Sequence, residues 1–375
     1  MAGIYIHIPF CRQKCYYCDF YKTVNNSLQQ KFINALKNET KLRKNYLNKE
    51  PIETIYFGGG TPSVLLPSEI AGILDLMADE FKVNSYAEVT LEANPDDLGL
   101  DYLKAIKNVG INRLSIGVQS FQNKHLQKMN RRHDSKQAVS AIENAAKTGF
   151  DNISVDLIYG LPGLTQNEWE ESLSRVFQLP VQHLSAYHLT YHEGTPFYTW
   201  LKKGTLKELK EADSVKQFNT LIDLSLANGY EHYEISNLAK NELYSRHNTS
   251  YWMGKKYLGL GPSAHSFDGE SRRWNISHTE AYIKALEARQ NFFEEEKLTE
   301  NDKYNEYILT KIRTKWGVSQ QKIRQEFGEE KEQYFLKQLA KYKQSDVVEI
   351  HNQIVTLTRK GLFVSDEIMS DLIII

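Results

Sequence analysis

Short apolar runs rich in β-branched residues alternate with longer amphipathic stretches over the first two thirds of the chain. The apolar runs predict strands at Ile4–Ile8, Thr54–Phe57, Glu88–Glu92, Arg113–Val118, Ile153–Ile158 and Leu184–Leu189. Helical periods follow them at Gln29–Lys44, Pro67–Phe81, Tyr102–Val109, Lys136–Thr148, Gln166–Phe177 and Ala212–Asn228. This alternation predicts an α/β fold with a parallel sheet. Six units are enough for a partial (β/α)6 barrel over residues 1–233, with its functional residues at the strand carboxyl ends.

The pattern changes after Tyr233, where an irregular, aromatic-rich stretch begins. Residues 234–300 are expected to form a connecting segment that holds the hexapeptide HNTSYW at 247–252 and a glycine-rich run at 258–263. Further helical periods and a hairpin follow, at Asn301–Lys315, Ser319–Phe327, Lys331–Tyr342, Val347–Ile350 and Ile354–Leu357. Helices followed by a hairpin predict a smaller C-terminal α+β domain, residues 301–375, that resembles a winged helix.

Charge and composition narrow the classes of function. The chain has 46 Lys and Arg against 47 Asp and Glu, a net charge of −1, which argues against nucleic-acid binding as its main role. Winged helices often bind DNA, but residues 302–375 carry 12 basic and 11 acidic side chains, so packing is favoured. No apolar run approaches the roughly 18 residues of a membrane span, and no secretory signal is visible. We expect a cytoplasmic protein with at most peripheral membrane contact.

All three cysteines of the chain, Cys11, Cys15 and Cys18, lie within eight residues. An odd number in one loop is a poor disulfide framework and indicates a metal or redox site in a reducing compartment. A CxxxCxxC loop after a first strand can hold a [4Fe–4S] cluster by three thiolates and leave one iron open. Zinc is the alternative, with His7 nearby, although no second pair of ligands is visible.

The second predicted strand ends in the turn Gly58-Gly59-Gly60-Thr61-Pro62. Such a turn lets a ligand approach the backbone, whose N–H groups can hold a carboxylate, although a tight loop would explain the glycines equally well. Together with CxxxCxxC, the turn resembles the radical S-adenosylmethionine (SAM) superfamily. The resemblance implies that the open iron chelates the amino and carboxylate groups of SAM, which an electron from the cluster then cleaves.

Polar residues at later strand ends fit the same interpretation. Glu92, Gln119 and Asp156 lie on the third, fourth and fifth predicted strands, and Arg131 follows the fourth. Each alone could cap a loop or form a surface ion pair. Because parallel strands direct such groups toward one pocket, the four together predict a site for a small polar ligand.

The motifs are more specific than the superfamily. The segments at 5–11, 15–18, 57–62, 91–95, 113–121, 130–131 and 156–163 resemble the oxygen-independent coproporphyrinogen III oxidase family, over essentially the whole chain. Carried over by position, the resemblance implies Cys11, Cys15 and Cys18 as cluster ligands. It also implies a SAM site formed by Tyr5, Tyr17, Gly59, Gly60, Thr61, Glu92, Gln119, Arg131 and Asp156.

One departure selects a branch of that family. The decarboxylase pattern continues to CxxxCxxCxC, whereas here Phe20 occupies the position of the last cysteine. Phe20, the early Cys11 and HNTSYW are similar instead to the haem chaperone branch, whose members bind haem and pass it to haem-requiring respiratory proteins. A homodimer is left open, the electron donor is unknown, and no coproporphyrinogen oxidase activity is expected. The decarboxylase and a metal-dependent regulator acting through the winged helix are the alternatives.

HNTSYW suits a haem site. A neutral His247 can ligate haem iron, while Tyr251 and Trp252 offer flat apolar surfaces. An aromatic core at a domain interface is the other interpretation of this segment. Four further histidines compete with His247 as the ligand, namely His7, His188, His192 and His265.

Overall fold

The computed structural model describes residues 2–342 and 344–375. The strands of the first two thirds are β1 (Ala2–Ile8), β2 (Ile52–Gly59), β3 (Val83–Ala93), β4 (Arg113–Gln119), β5 (Ile153–Tyr159) and β6 (His183–His188). The helices that follow them are α1 (Gln29–Arg43), α2 (Pro67–Glu80), α3 (Leu100–Asn108), α4 (Asn123–Lys128), α5 (Ser135–Lys147), α6 (Gln166–Gln178), α7 (Pro196–Lys202) and α8 (Glu211–Ala227). Every strand and helix predicted for residues 1–233 is present, with bounds that differ by a few residues.

Shorter elements follow α8. They are β7 (Glu231–Glu234), β8 (Asn237–Ala239), α9 (Arg246–Trp252), β9 (Tyr257–Leu260), β10 (His265–Phe267), β11 (Ser271–Asn275), α10 (Thr279–Glu287) and β12 (Phe293–Lys297). The C-terminal elements are α11 (Glu300–Lys311), β13 (Val318–Ser319), α12 (Gln320–Phe327), α13 (Glu329–Leu339), β14 (Val348–His351), β15 (Ile354–Leu357), α14 (Arg359–Phe363) and α15 (Ser365–Leu372).

Strands β1 to β6 are parallel neighbours in chain order, which confirms the partial barrel. Side chains alternate between the two faces of each strand. On β1, Ile4, Ile6 and Ile8 are fully buried in the main core, whereas Tyr5 and His7 lie on the opposite face. The opposite face of β4 carries Arg113, which is 1% exposed. The barrel interior is therefore lined by polar side chains, and its apolar core lies against the helices.

The expected connecting segment, residues 234–300, is instead part of the main sheet. Strand β9 pairs parallel with β1, from Gly3 opposite Tyr257 to Ile6 opposite Leu260. Strands β10, β11 and β12 continue that edge in antiparallel order, and β8 and β7 extend the other edge beyond β6. The resulting sheet has twelve strands. These added strands span only three to five residues each, so they carry too little periodicity to predict.

The C-terminal domain has its own core, formed by Tyr304, Ile308, Ile323, Phe335 and Leu339 among others. Its three-stranded antiparallel sheet has the order β13-β15-β14 and contains the predicted hairpin. The smaller α+β domain is thus confirmed. In the part of the chain that the structure describes, no helix has both the length and the apolar character needed to cross a membrane.

Candidate functional site

A cavity of about 410 Å³ opens at the carboxyl ends of the barrel strands. We call it the cysteine cavity. Eleven of the thirteen residues that the sequence predicts for the site line it: Cys11, Cys15, Tyr17, Cys18, Gly59, Gly60, Thr61, Glu92, Gln119, Arg131 and Asp156. The barrel therefore brings the two motif loops and the later strand ends to one place. The other two predicted residues, Tyr5 and His247, lie elsewhere.

The cysteine loop is held against the loop that follows α4. Tyr16 N donates to Met129 O at 3.1 Å, and Asn130 Nδ2 donates to Lys14 O at 2.8 Å. At its start, Cys11 N donates to Thr23 O at 2.9 Å. These bonds fix the backbone around the thiols against the loop after α4 and against residue 23.

Two side chains donate to the cysteine sulfurs. Thr61 Oγ1 lies 3.3 Å from Cys11 Sγ, and Arg131 Nη1 lies 3.4 Å from Cys15 Sγ. Burial raises the pKa of the Cys11 thiol, and the Thr61 hydrogen bond partly offsets that rise. Donors of this kind stabilise thiolates and tune whatever metal the thiolates bind.

The glycine turn uses its N–H groups within the protein. Gly60 N donates to Ile8 O and Thr61 N to Phe10 O, both at 2.8 Å, while Gly59 N donates to the Glu92 carboxylate at 3.2 Å. A Cβ atom on Gly60 would lie 2.8 Å from Phe10 O. The N–H groups of residues 59–61 therefore already have partners within the protein, and a ligand contact through this turn stays a prediction. Gly60 permits close contact between the turn and the cysteine loop.

Two carboxyl groups face the cavity from β3 and β5. Burial raises the pKa of Glu92 to about 7, against the opposing hydrogen bond that Tyr56 donates at 2.8 Å. Burial likewise raises the pKa of Asp156 to about 6, although Ser115 Oγ donates to it at 3.2 Å. Burial disfavours the charged form of both groups, so a cationic or hydroxyl-bearing ligand would stabilise their carboxylates.

Arg131 and Gln119 complete the wall near the cysteines. Arg131 Nη2 donates to Asn94 Oδ1 at 2.7 Å and to Gly117 O at 2.6 Å, while its Nε is buried without a partner among the described residues. Gln119 has a φ of +67° beside a register shift in β4. That conformation costs a non-glycine residue about 1–3 kcal/mol and is common at functional sites.

Several lining residues were missed by the sequence analysis. Asn94 orients Arg131, Ser115 supports Asp156, and Tyr187 closes the wall at the end of β6. Lys22 Nζ donates to Cys18 O at 2.7 Å and brings a positive charge beside the thiols. Asn94 belongs to the LEANP motif and Tyr187 ends a predicted strand, so position within the barrel could have identified both.

A second cavity, of about 480 Å³, adjoins the first and shares Phe20, Gly59 and Glu92 with it. Tyr5, predicted to lie around SAM, lines this second cavity, where its hydroxyl is 3.3 Å from His7 Nδ1. We call it the aromatic cavity because Tyr5, Phe20, Tyr251 and Tyr257 contribute to its walls.

His247 lies inside the protein, under Tyr56, with a ring-centroid distance of 5.0 Å. It is 1% exposed, its Nδ1 is 2.7 Å from Thr54 Oγ1, and its Nε2 is 2.7 Å from the hydroxyl of Tyr251. Burial lowers its pKa to about 3, so the ring is neutral. Iron ligation by His247 would require the loss of at least one of these hydrogen bonds. Its role as a haem ligand stays a prediction.

The remaining parts of HNTSYW divide between two places. Tyr251 lines the aromatic cavity. Trp252 lies under the Arg313 guanidinium at 4.4 Å, toward the C-terminal domain. Of the competing histidines, His188 and His192 line the cysteine cavity, where His188 Nε2 is 3.0 Å from Ser214 Oγ and His192 Nδ1 is 3.4 Å from Asp19. His7 and His265 line the aromatic cavity.

Comparison with known proteins agrees with this arrangement. Residues 5–176 match the model of the radical SAM superfamily, and residues 298–364 match that of the HemN C-terminal domain. The fold of coproporphyrinogen III oxidase (HemN) from Escherichia coli superposes with a TM-score of 0.86 at 24% identity, over 99% of this chain and 89% of that one. At that identity the likeness describes the fold alone.

Sequence relatives are more informative. The chain is 32% identical to the heme chaperone HemW of Bacillus subtilis, over 98% of both chains. It is also 32% identical to the heme chaperone HemW of Lactococcus lactis, over 95% of this chain and 93% of the relative. Since these matches run over nearly the whole of both proteins, the chain belongs to the HemW family of radical SAM proteins.

Proposed function

We propose that this protein binds haem and delivers it to haem-requiring respiratory proteins, with a [4Fe–4S] cluster and SAM held in the cysteine cavity. The observation that carries the proposal is Phe20. Its side chain is 67% exposed and lines both cavities, at the position where the decarboxylase pattern has a further cysteine. An exposed aromatic ring between a polar and an aromatic cavity suits the binding of a flat apolar macrocycle.

The cysteine cavity fits a cluster better than a single metal ion. Among the described residues, no three or more His, Cys, Asp or Glu side chains are grouped closely enough to hold one ion. A cubic cluster needs no such convergence, because each of its thiolates binds a different iron. Cys11, Cys15 and Cys18 would hold it, with Thr61 and Arg131 donating to the sulfurs.

The rest of the cavity fits SAM. Glu92 and Asp156 supply the acceptors that an ammonium group or ribose hydroxyls require, and the unpartnered Nε of Arg131 supplies a buried donor. When bound together, the cluster would supply the electron that cleaves SAM. The residues of this chain would bind and orient SAM. Tyr17 and Gln119 line the space that SAM would occupy.

Oxygen-independent coproporphyrinogen III decarboxylation is the second candidate, because HemN has the same fold over nearly this whole chain. The same cluster and SAM residues would serve both functions. The two candidates differ at Phe20 and in the substrate that the aromatic cavity accepts.

A haem titration of the full-length, cluster-reconstituted protein tests the proposal. We expect saturable haem binding that Phe20→Ala weakens by about tenfold, since the loss of one aromatic contact surface costs about 1.5 kcal/mol. Leu42→Ala is the matched control, because Leu42 is 65% exposed on α1, outside both cavities. Absence of haem binding would contradict the proposal. Formation of protoporphyrinogen from coproporphyrinogen III under anaerobic, reducing conditions with SAM would favour the decarboxylase instead.

A further inference from the structure

Apart from Tyr5, Gly59 and Glu92, the residues that line the aromatic cavity have no part in the assignments of the cluster and SAM. The volume of this cavity, about 480 Å³, lies within the range of about 300–1,000 Å³ that is usual for small-molecule sites. Tyr5, Phe20, Tyr251 and Tyr257 contribute aromatic rings to its walls. Such walls suit a large flat ligand, which gains dispersion and hydrophobic contact from rings on several sides.

The histidines of this cavity differ in what their ring nitrogens already bind. His7 is 6% exposed, with Nδ1 3.3 Å from the Tyr5 hydroxyl and Nε2 3.0 Å from Tyr21 O. His265 is exposed and has no side-chain hydrogen bond among the described residues. A metal ligand must offer a free lone pair. In the aromatic cavity, His265 can do so without the loss of an existing hydrogen bond.

The backbone of residues 258–265 places His265 in the wall of the aromatic cavity. The glycine-rich run that begins at residue 258 ends two residues before His265. A Cβ atom on Gly259 would lie 2.0 Å from His265 O, and one on Gly261 would lie 2.5 Å from His7 O. These two glycines therefore allow β10 to cross close to β9 and the turn to lie against the end of β1. Ser263, which also lines the cavity, has a left-handed φ of +64°.

The surroundings of His265 also favour the neutral imidazole, which is the form that binds metals. The ring stacks beside Trp274, its partner across β10 and β11, with ring centroids 6.3 Å apart and an interplanar angle of 29°. Although part of the ring is open to solvent, desolvation of the remainder against the protein, together with the positive charge of Arg272, lowers its pKa. The imidazole is then neutral at physiological pH, as iron ligation requires.

We propose that haem binds in the aromatic cavity with His265 as an axial ligand to its iron. This inference rests on the proposed function. It also gives a role to the glycine-rich run and separates the haem site from the cysteine cavity, with Phe20, Gly59 and Glu92 forming the shared boundary.

The test is a ferric haem titration of full-length protein with its cluster in place, followed by absorption and electron paramagnetic resonance spectra. We expect His265→Ala to weaken haem binding by about tenfold or more and to remove the spectrum of nitrogen ligation. Added imidazole should restore that spectrum, because it replaces the lost ligand. His265→Met should bind haem with the spectrum of a sulfur ligand.

Two further variants complete the design. His351→Ala is the matched control, since the His351 side chain is 82% exposed in the C-terminal hairpin, and it should behave as the wild type does. His247→Ala should keep the spectrum of nitrogen ligation. If His265→Ala keeps the wild-type affinity and spectrum, or if only His247→Ala changes the ligation, the inference is overturned while the proposed function stands. Failure of the wild type to bind haem would overturn both.

Discussion

Nε2 of His247 lies 2.7 Å from the hydroxyl oxygen of Tyr251, one turn later in α9. Tyr251 faces the aromatic cavity, whereas His247 is buried and also contacts Thr54. The HNTSYW segment therefore reaches the cavity through its tyrosine, and the histidine fixes that tyrosine to the barrel. Substitution of His247 will therefore change the position of Tyr251, and with it one wall of the aromatic cavity.

The first prediction concerns the cluster. Cys15→Ser should abolish the [4Fe–4S] cluster in anaerobically reconstituted protein, because three thiolates leave no spare ligand among the cysteines of the chain. Iron and acid-labile sulfide analysis measures this directly. Stoichiometric zinc in the wild type, or an unchanged iron content in the variant, would contradict the assignment.

The second prediction concerns SAM. Asp156→Ala and Glu92→Ala should each weaken SAM binding while the iron content stays unchanged, since both residues lie on strands outside the cysteine loop. The loss of a hydrogen bond to a charged group costs about 1.5–3 kcal/mol, or roughly ten- to 150-fold in affinity. Equilibrium dialysis would measure the change. Wild-type affinity in both variants would mean that the carboxylates only support the loops.

The third prediction gives the pH dependence of SAM binding. The pKa of Glu92 is raised to about 7 and that of Asp156 to about 6, chiefly by burial. Protonation below these values removes the negative charge that should attract the sulfonium and ammonium groups of SAM. Affinity should therefore fall as the pH drops from 8 to 5.5. Glu92→Gln should remove the part of this dependence near pH 7, and an unchanged profile in that variant would exclude Glu92 as its source.

The fourth prediction tests the contact between the glycine turn and the cysteine loop. Gly60→Ala should lower the cluster content, because the new Cβ atom would lie 2.8 Å from Phe10 O, next to Cys11. Gly72→Ala is the matched control. Gly72 lies within α2, where a Cβ atom would meet only open space, so alanine there should stabilise the protein by up to about 1 kcal/mol. Equal iron content in both variants would show that the turn tolerates a side chain.

The fifth prediction concerns the buried support of the Gly261 turn. Glu39 accepts hydrogen bonds from Gly261 N at 2.8 Å and Asn275 Nδ2 at 2.7 Å, and it pairs with Arg43 at 3.4 Å. Glu39→Ala leaves the Arg43 charge buried without its partner, which should cost about 3–5 kcal/mol of unfolding free energy.

The control for this prediction is Glu80→Ala, which removes a pair with Lys44 at 3.8 Å, where Lys44 is 54% exposed. That change should cost less than about 1 kcal/mol. Urea unfolding curves would give the free energy of unfolding of each variant. The two values can be compared if both depend on urea concentration with a similar slope. A loss for Glu39→Ala no larger than that for Glu80→Ala would show that the buried network does not support the turn.

Much of the barrel could be derived from residue order alone. Strands β1 to β6 and the helices after them follow from local periodicity, because each unit is long enough to show its own pattern. Parallel strands place their carboxyl ends together, so the convergence of Cys11, Glu92, Arg131 and Asp156 on one cavity also follows from sequence position.

Pairing between strands that are far apart in the chain determined the rest of the fold. The parallel contact between β9 and β1 joins residues more than 250 positions apart, from Gly3 to Tyr257, and short strands give no local signal of such a partner. That pairing places the glycine-rich run and His265 beside the barrel mouth, while α9 places His247 in the interior. The sequence thus predicts which residue types form the site. Which histidine meets the cavity depends on packing, because burial and hydrogen bonding are properties of the assembled fold.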